Sequence, residues 1–353
     1  MNKQNLTLQG FRGLLALLVV VFHSYRGLVS SEQIHPLQGH LKWVESAGLV
    51  SVNLFFVISG YLILQSLYRH QNANRFLIDR ILRIYPVFLV VHLLLFTAGP
   101  MIGYKWMENL SLSDYLLHFF SNLFLLPGIF SFLPEAQIVA WSLSYEFLFY
   151  LLIGSYFTSR QKGNNYKNQL LLLLTVLLAT LFLYFHPIAC FFVVGILIYK
   201  WIGRINTIRN YKPIFYFNGL ILFIFIYVFY DKVNLTISLV LSFFLFISIT
   251  NEEGILSTIL KTKIFKYLGD ISYSLYIWHT VIMFPLKLVM NKVYHFPQSP
   301  WLLFFTFSLL SVVISLIVSH LSYIWIEKKF TNYIKGILRG RQQLKDVLHE
   351  RAL

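Results

Sequence analysis

Residues 8–23 read LQGFRGLLALLVVVFH, and this stretch decides the class of the protein. It is an apolar run of helical length that carries Arg12 near one end and His23 at the other, eleven residues apart. On an α-helix, eleven residues return to within about 20° of the starting direction and advance roughly 16 Å. The two side chains therefore face the same way. Because ionisable groups inside a bilayer are costly, the pair predicts a polar path through the protein. The alternative is that Arg12 is an ordinary cytoplasmic anchor and His23 a hydrogen-bonded packing group.

The composition of the whole chain is that of a membrane protein. Of its 353 residues, 57% are hydrophobic and 12% are charged, and the mean hydropathy is +0.66. Such a chain has too little polar surface to cover a soluble globule. The single cysteine, Cys190, excludes disulfide frameworks and two-cysteine redox pairs. A net charge of +15 would suggest nucleic acid in a soluble protein, but here we interpret it as membrane orientation, with no nucleic-acid partner.

Apolar runs long enough to cross a hydrocarbon core of about 30 Å recur along nearly the whole sequence. They predict an all-α polytopic membrane protein with about ten transmembrane helices. The predicted spans are 11–29, 47–67, 82–102, 138–158, 168–186, 188–203, 214–230, 234–250, 270–290 and 301–326. The first run has no small-residue cleavage pattern after it, so we expect a retained span rather than a signal peptide.

The distribution of basic residues predicts the orientation of the chain. With these ten spans, 23 of the 29 Lys and Arg lie on one side, which the positive-inside rule makes cytoplasmic. Counting the apolar segment 115–133 as a further span would break this asymmetry. We therefore expect both termini in the cytoplasm and 115–133 as one re-entrant or interfacial helix. Residues 1–327 are the predicted membrane domain, and 328–353 a basic cytoplasmic tail that anchors the topology or lies on an anionic leaflet.

Further polar side chains lie inside the predicted spans or at their ends. Arg80 and Arg83, one turn apart at the start of the third span, suit phosphate binding or ordinary cytoplasmic anchoring. Glu146 lies about eight residues inside the fourth span, where a carboxylate needs a partner or a water-filled cavity. His279 in the ninth span suits a ligand contact or an interhelical hydrogen bond. The weaker candidates, with helix packing or a surface ion pair as their alternatives, are Asn53, Ser59, Tyr150 and Glu327.

Five stretches together resemble the membrane-bound acyltransferase family 3, the bacterial integral-membrane O-acyltransferases that modify surface polysaccharides. They are LQGFRGLLALLVVVFH (8–23), NLFFVISGYLI (53–63), RILRIYP (80–86), AWSLSYEFLFYLL (140–152) and LGDISYSLYIWH (268–279). Each string is weak alone, but the five occur in the right order and include the Arg-x10-His pair. The chain departs from the family pattern at Asn53, where Asp is common.

The resemblance implies an acyl donor, usually acetyl-CoA, that enters from the cytoplasm of a bacterium whose inner membrane holds the protein. The implied acceptor is a hydroxyl of an envelope glycan, such as O-antigen, exopolysaccharide or a lipid-linked precursor. The resemblance makes Arg12 and His23 the essential pair and Glu146 the acid. It makes Arg80 and Arg83 the cytoplasmic basic motif, which together with Arg12 would bind the phosphates of the donor. The residues expected to contact substrate are Asn53, Ser59, Tyr150, His279 and Glu327.

Two mechanisms and one other class of protein stay open at this level. His23 could take the acceptor proton near neutral pH, or it could carry the acyl group covalently. A secondary transporter or flippase is the alternative, with His23, Glu146 and His279 as a proton relay and the arginines as an anion gate. Such transporters usually contain inverted repeats, and we find none in the sequence. The other histidines of the spans lack metal-ligand spacing, so we predict no metal.

Overall fold

The computed structural model describes residues 5–37, 39–104, 107, 109–161, 165–205, 212–293 and 299–338, and this part of the chain is helical without strands. The helices are α1 (Leu6–Val29), α2 (Ala47–His70), α3 (Ala73–Ile102), α4 (Leu112–Leu123), α5 (Ala140–Gln161), α6 (Tyr166–Phe185), α7 (Cys190–Ile205), α8 (Lys212–Phe229), α9 (Leu235–Thr250), α10 (Ile255–Leu260), α11 (Lys263–Asp270), α12 (Ser272–Val293) and α13 (Pro300–Ser322). A π-helical stretch, Tyr323–Phe330, continues α13 into a last helical segment that reaches residue 338.

A helix occupies each of the ten predicted spans, namely α1, α2, α3, α5, α6, α7, α8, α9, α12 and α13. Within the described ranges, six helices are long and apolar enough to cross a membrane: α1, α2, α3, α6, α12 and the long helix that begins at Pro300. The prediction of an all-α protein with several membrane-spanning helices is therefore confirmed. The number of ten crossings and the cytoplasmic position of both termini stay predictions.

The segment 115–133 does not form one long helix. Its helical part, α4, has 12 residues and is about 18 Å long, which is shorter than the hydrocarbon core. The chain after α4 is irregular and is held by the side chain of Asn122. Its amide donates to the carbonyl of Pro134 at 3.0 Å, and its oxygen accepts from the N–H of Ala136 at 2.8 Å. This structure fits a segment that does not cross, and the choice between re-entrant and interfacial stays open.

Asparagine side chains fix where several helices begin. The side-chain oxygens of Asn5, Asn72 and Asn234 accept from backbone N–H groups in the first turns of α1, α3 and α9, at 2.7, 3.1 and 2.9 Å. An N-cap of this kind satisfies donors that have no partner inside the helix. Because Asn5 caps α1, this helix begins at Leu6, before the apolar run from which the span was predicted.

Glycines bring two pairs of helices into backbone contact. A Cβ placed on Gly60 of α2 would lie 2.1 Å from the carbonyl oxygen of Phe192 in α7, and one on Gly195 would lie 2.1 Å from that of Val57. A Cβ on Gly10 of α1 would lie 1.9 Å from the carbonyl oxygen of Leu260 at the end of α10. Small residues permit such close approach between membrane helices. Helix α1 is therefore packed inside the bundle, against α10, α11 and α2.

The last helical segment is tied to the N-terminal half of the chain by an ion pair with Asp79. Lys335 Nζ lies 3.1 Å from one carboxylate oxygen of Asp79 in α3, and His70 Nε2 lies 2.8 Å from the other. Lys328 and Lys329, at the start of the predicted tail, lie over the rings of Tyr323 and Trp325. Residues 339–353 of the predicted tail lie outside the described residues, so its amphipathic character stays a prediction.

Candidate active site

A cavity inside the bundle brings together six of the residues that the sequence singled out. It is lined by Arg12, Ser59, Arg80, Arg83, Glu146 and Tyr150, and we name it the arginine cavity. Its space, including the open mouth, is about 630 Å³. Helices α1, α2, α3 and α5 each contribute to this set, so residues far apart in sequence meet at one point.

Glu146 is the only carboxylate among the residues that line this cavity. It accepts a hydrogen bond from Ser59 Oγ at 2.7 Å and another from the hydroxyl of Tyr150, which lies one turn further along α5. The two donors come from α2 and α5, so the carboxylate links these helices. A half-buried carboxylate that accepts two hydrogen bonds keeps a fixed position, as a group that orients a ligand must.

The cavity has an excess of positive charge. Arg80 is 9% exposed, and its guanidinium lies 5.5 Å from the ring centre of Phe76 and 5.6 Å from that of Tyr150. Its Nε has no hydrogen-bond partner within the described part of the chain. With Arg12 and Arg83 the lining carries three cations against one carboxylate. Buried charge without compensation is costly, so the cavity is suited to an anionic ligand.

The far wall of the arginine cavity comes from α12. The hydroxyl of Tyr276 lies 2.7 Å from Ser142 Oγ of α5, and the hydroxyl of Tyr273 donates to the carbonyl of Ile84 at 2.5 Å. Both tyrosines line the cavity. The ring of Tyr276 lies 6.1 Å from that of Phe55 and 6.1 Å from that of His279, one turn further along α12. Tyr276 thus closes this end of the cavity.

His279 and His23 form a pair behind Tyr276. Their ring centres are 5.1 Å apart, and His279 has no exposed surface. Nδ1 of His279 lies 3.1 Å from the carbonyl oxygen of Leu275. Because a carbonyl only accepts, Nδ1 carries a proton, and Nε2 can act as a base only when the ring is neutral. Nε2 has no hydrogen-bond partner within the described residues, which is rare for a buried polar atom.

His23 lines a second cavity on the other side of this pair. We name it the histidine cavity; its space, including the open mouth, is about 1080 Å³. Arg12 and His23 therefore line different cavities, although they share a face of α1. The sequence suggested one continuous groove along that face. Between the two cavities lie the rings of Tyr276, which lines the arginine cavity, and of His279, which contacts the ring of His23.

Three of the predicted substrate residues line neither cavity: His279, which is described above, and Asn53 and Glu327. The amide of Asn53 donates to the hydroxyl of Tyr230 at 2.9 Å. Glu327 accepts from the backbone N–H of Ser274 at 3.1 Å and from its hydroxyl at 2.5 Å. It thus caps the first turn of α12, where a negative charge is favourable. This contact, rather than a surface ion pair with Lys328, accounts for the position of Glu327.

Two polar residues near the site were not among the predicted site residues. Tyr273 precedes Tyr276 by three positions, so the helical period of the polar stripe on α12 could have indicated it. Gln137 is 2% exposed and donates to the carbonyl of Ile277 at 2.7 Å, which holds the chain before α5 against α12. No sequence pattern indicates Gln137, because it lies before α5 in a stretch whose hydrophobic residues show no regular period. The described residues contain no group of three or more His, Cys, Asp or Glu placed to hold a metal.

Comparison with known proteins agrees with the resemblance seen in the sequence. The sequence model of the family described as "Acyltransferase domain" (acyltransferase family 3) matches residues 5–320. The O-acetyl transferase of Shigella phage Sf6 is 25% identical over 340 residues, which cover 89% of this chain and 92% of that protein. No solved structure matches the chain significantly. With a match over nearly its whole length, this chain belongs to acyltransferase family 3.

Proposed function

We propose that the protein transfers an acetyl group from acetyl-CoA to a hydroxyl of an envelope glycan or of its lipid-linked precursor, in the bacterial inner membrane. The observation that carries this proposal is the order of the site: a cationic cavity, a layer of Tyr276 and His279, and His23 at the edge of a second cavity. A thioester donor with an anionic head and a separate hydroxyl acceptor need two binding sites that meet at one base.

The arginine cavity fits the donor. Acetyl-CoA carries several phosphate charges, and guanidinium groups bind phosphate through paired hydrogen bonds. Three arginines line this cavity, and Arg80 has an unpaired Nε there. Glu146 would then hold the arginines apart and in place, through its bonds to Ser59 and Tyr150. Donor entry from the cytoplasm follows from the predicted orientation.

The histidine pair fits the chemistry. In the transfer, the acceptor oxygen attacks the thioester carbon, a C–O ester bond forms and the C–S bond breaks. The proton of the hydroxyl leaves to a base and ends on the sulfur of CoA. His23 lines the acceptor side and is in ring contact with His279, so His23 would be this base and His279 would position it. If His23 instead carries the acetyl group, an acetyl-His23 adduct would be trapped by acid quenching.

The test uses purified protein in lipid nanodiscs with radiolabelled acetyl-CoA, and envelope glycans from cells with and without the protein. We expect an alkali-labile mass increase of one acetyl group on the glycan, and its loss in His23→Ala. In His279→Phe, which keeps the ring contact but removes Nε2, turnover should fall about tenfold or more. His35→Ala is the control, because His35 is exposed in a loop. Identical glycan masses with and without the protein would refute the proposal.

A further inference from the structure

Two cations lie at the end of the bundle where basic residues are scarce. Only six of the 29 Lys and Arg lie on the predicted outer side, and two of these six, Arg26 and Lys287, line the histidine cavity. Arg26 follows His23 by three residues on α1, and Lys287 follows His279 by eight residues on α12. Each is therefore about one or two helical turns beyond the histidine pair, on the side away from the arginine cavity.

Lys287 is held in place by the neighbouring helix. Its Nζ donates to the carbonyl oxygen of Gly27 at 2.9 Å, which joins α12 to α1 next to Arg26. An ammonium group has three donors, so a ligand in the cavity can take another of them. The charge of Lys287 is thereby fixed next to α1, and both cations lie at the wall of a cavity that His23 also lines.

Two buried hydroxyl groups of the same cavity lack partners. Tyr104 is 3% exposed and Thr280 is 6% exposed, and neither hydroxyl has a hydrogen-bond partner among the residues that the structure describes. Buried polar groups are nearly always hydrogen-bonded in the functional state, so these two indicate a polar ligand. Neither oxygen is exposed to the cavity in this structure, so a saccharide, which carries hydroxyls on every side, would satisfy both once the two side chains turn toward it.

Most of the remaining wall is apolar. The side chains are those of Phe22, Ile138, Met283, Phe284 and Phe307. A free sugar or a soluble polysaccharide makes few favourable contacts with such a wall, whereas a hydrocarbon chain can pack against it as it packs against lipid tails. The cavity thus combines two cations, two unpaired hydroxyls and an apolar surface.

We propose that the histidine cavity binds the acceptor as a saccharide joined through a phosphate or pyrophosphate to an apolar chain. Arg26 and Lys287 take the phosphate, Tyr104 and Thr280 take sugar hydroxyls, and the apolar wall takes the start of the chain. This inference rests on the proposed function, because it names the form in which that function meets its acceptor.

The experiment measures binding of radiolabelled geranylgeranyl pyrophosphate to the protein in nanodiscs of phosphatidylcholine. Unlabelled geranylgeraniol and sodium pyrophosphate are the competitors, because they carry the chain and the anion separately. The variants are Arg26→Gln and Lys287→Gln, with Lys287→Arg to restore the charge. Lys292→Gln is the matched control, since Lys292 is on the same helix, exposed, and not among the residues that line the cavity.

We expect the Kd of geranylgeranyl pyrophosphate to rise about tenfold in each glutamine variant, because each variant loses one charge-assisted hydrogen bond to the ligand. Lys287→Arg and Lys292→Gln should bind as the parent protein does. Equal binding by the glutamine variants, or equal competition by geranylgeraniol or by pyrophosphate alone, would overturn the inference. Because no acyl transfer is measured, this result is independent of whether acetyl-CoA is the donor. If the protein binds geranylgeranyl pyrophosphate but transfers no acetyl group from acetyl-CoA, the result counts against the proposed function and not against this inference.

Discussion

At the scale of single residues, the negative charge of Glu146 and its two hydrogen bonds can be tested separately. Glu146→Gln keeps an oxygen that accepts from Ser59 and Tyr150 but removes the negative charge beside three arginines. We expect turnover with acetyl-CoA to fall by about tenfold or more, since a charge-assisted bond contributes about 1.5–3 kcal/mol. The measurement is steady-state release of free CoA by protein in nanodiscs.

The comparison variants for Glu146 are Ser59→Ala and Asp231→Asn. Ser59→Ala removes one hydrogen bond and leaves the charge, so its effect should be smaller than that of Glu146→Gln. Asp231 is exposed near α8, and its neutralisation should leave turnover unchanged. If Glu146→Gln were as active as the parent protein while Ser59→Ala were not, the role of Glu146 would be structural.

The sequence could predict the members of the arginine cavity but not the boundary between the two cavities. Spacing along α1 places Arg12 and His23 on one face, yet it carries no information about side chains that enter from other helices. Tyr276 and His279 enter from α12 and separate the two. Asn53, by contrast, was predicted from the sequence to contact substrate but does not line the arginine cavity. It lies one position, or about 100°, beyond Val52, which lines the cavity, and it contacts Tyr230 instead.

At the scale of helices, the contact between α2 and α7 holds the wall that carries Ser59. We expect Gly60→Ala to lower the unfolding temperature by several degrees, because overpacking of this kind costs about 1–3 kcal/mol. The added Cβ would meet a backbone carbonyl of α7, which cannot move aside as a side chain would. The measurement is thermal unfolding followed by tryptophan fluorescence.

Gly336→Ala is the matched control, because a Cβ at Gly336 would have no atom within 4 Å. Its unfolding temperature should equal or exceed that of the parent protein, since alanine is the better helix former. Equal unfolding temperatures for Gly60→Ala and Gly336→Ala would contradict the close contact between α2 and α7.

Helix positions were easier to predict than helix ends or short helices. Long apolar runs dictate a helix wherever backbone groups must be satisfied without water, so each of the ten runs is occupied by one. The short helices α10 and α11 interrupt a loop and were not predicted. These stretches are short and contain lysines, so their hydrophobic residues do not show a clear helical period. They matter for the site, since they pack against α1 near Arg12.

At the scale of the whole molecule, the orientation in the membrane can be tested with cysteine labelling. In a Cys190→Ala background, we expect Ser113→Cys and Asp231→Cys to react with a membrane-impermeant thiol reagent added to intact spheroplasts. Asn74→Cys should react only after the membrane is opened, because its loop carries the cytoplasmic excess of basic residues. All three positions are exposed in the structure, so differences in reactivity report sidedness.

Labelling of Asn74→Cys in intact spheroplasts would reverse the predicted orientation. The donor would then have to enter from the other face, and the roles given to the two cavities would be exchanged. The fold itself would be unaffected, since the packing of the helices does not depend on which face is inside.

The layer formed by Tyr276 and His279 has a consequence for the cell as a whole. An enzyme that takes its two substrates from opposite faces of an energised membrane, as we propose for this one, is a potential leak for protons and small ions. Here the rings of Phe55, Tyr276, His279 and His23 follow one another at about 5–6 Å between centroids, with no exposed surface on His279. Proteoliposomes containing the resting protein should therefore hold a pH gradient as long as empty liposomes do, and a cell that makes it keeps its proton-motive force.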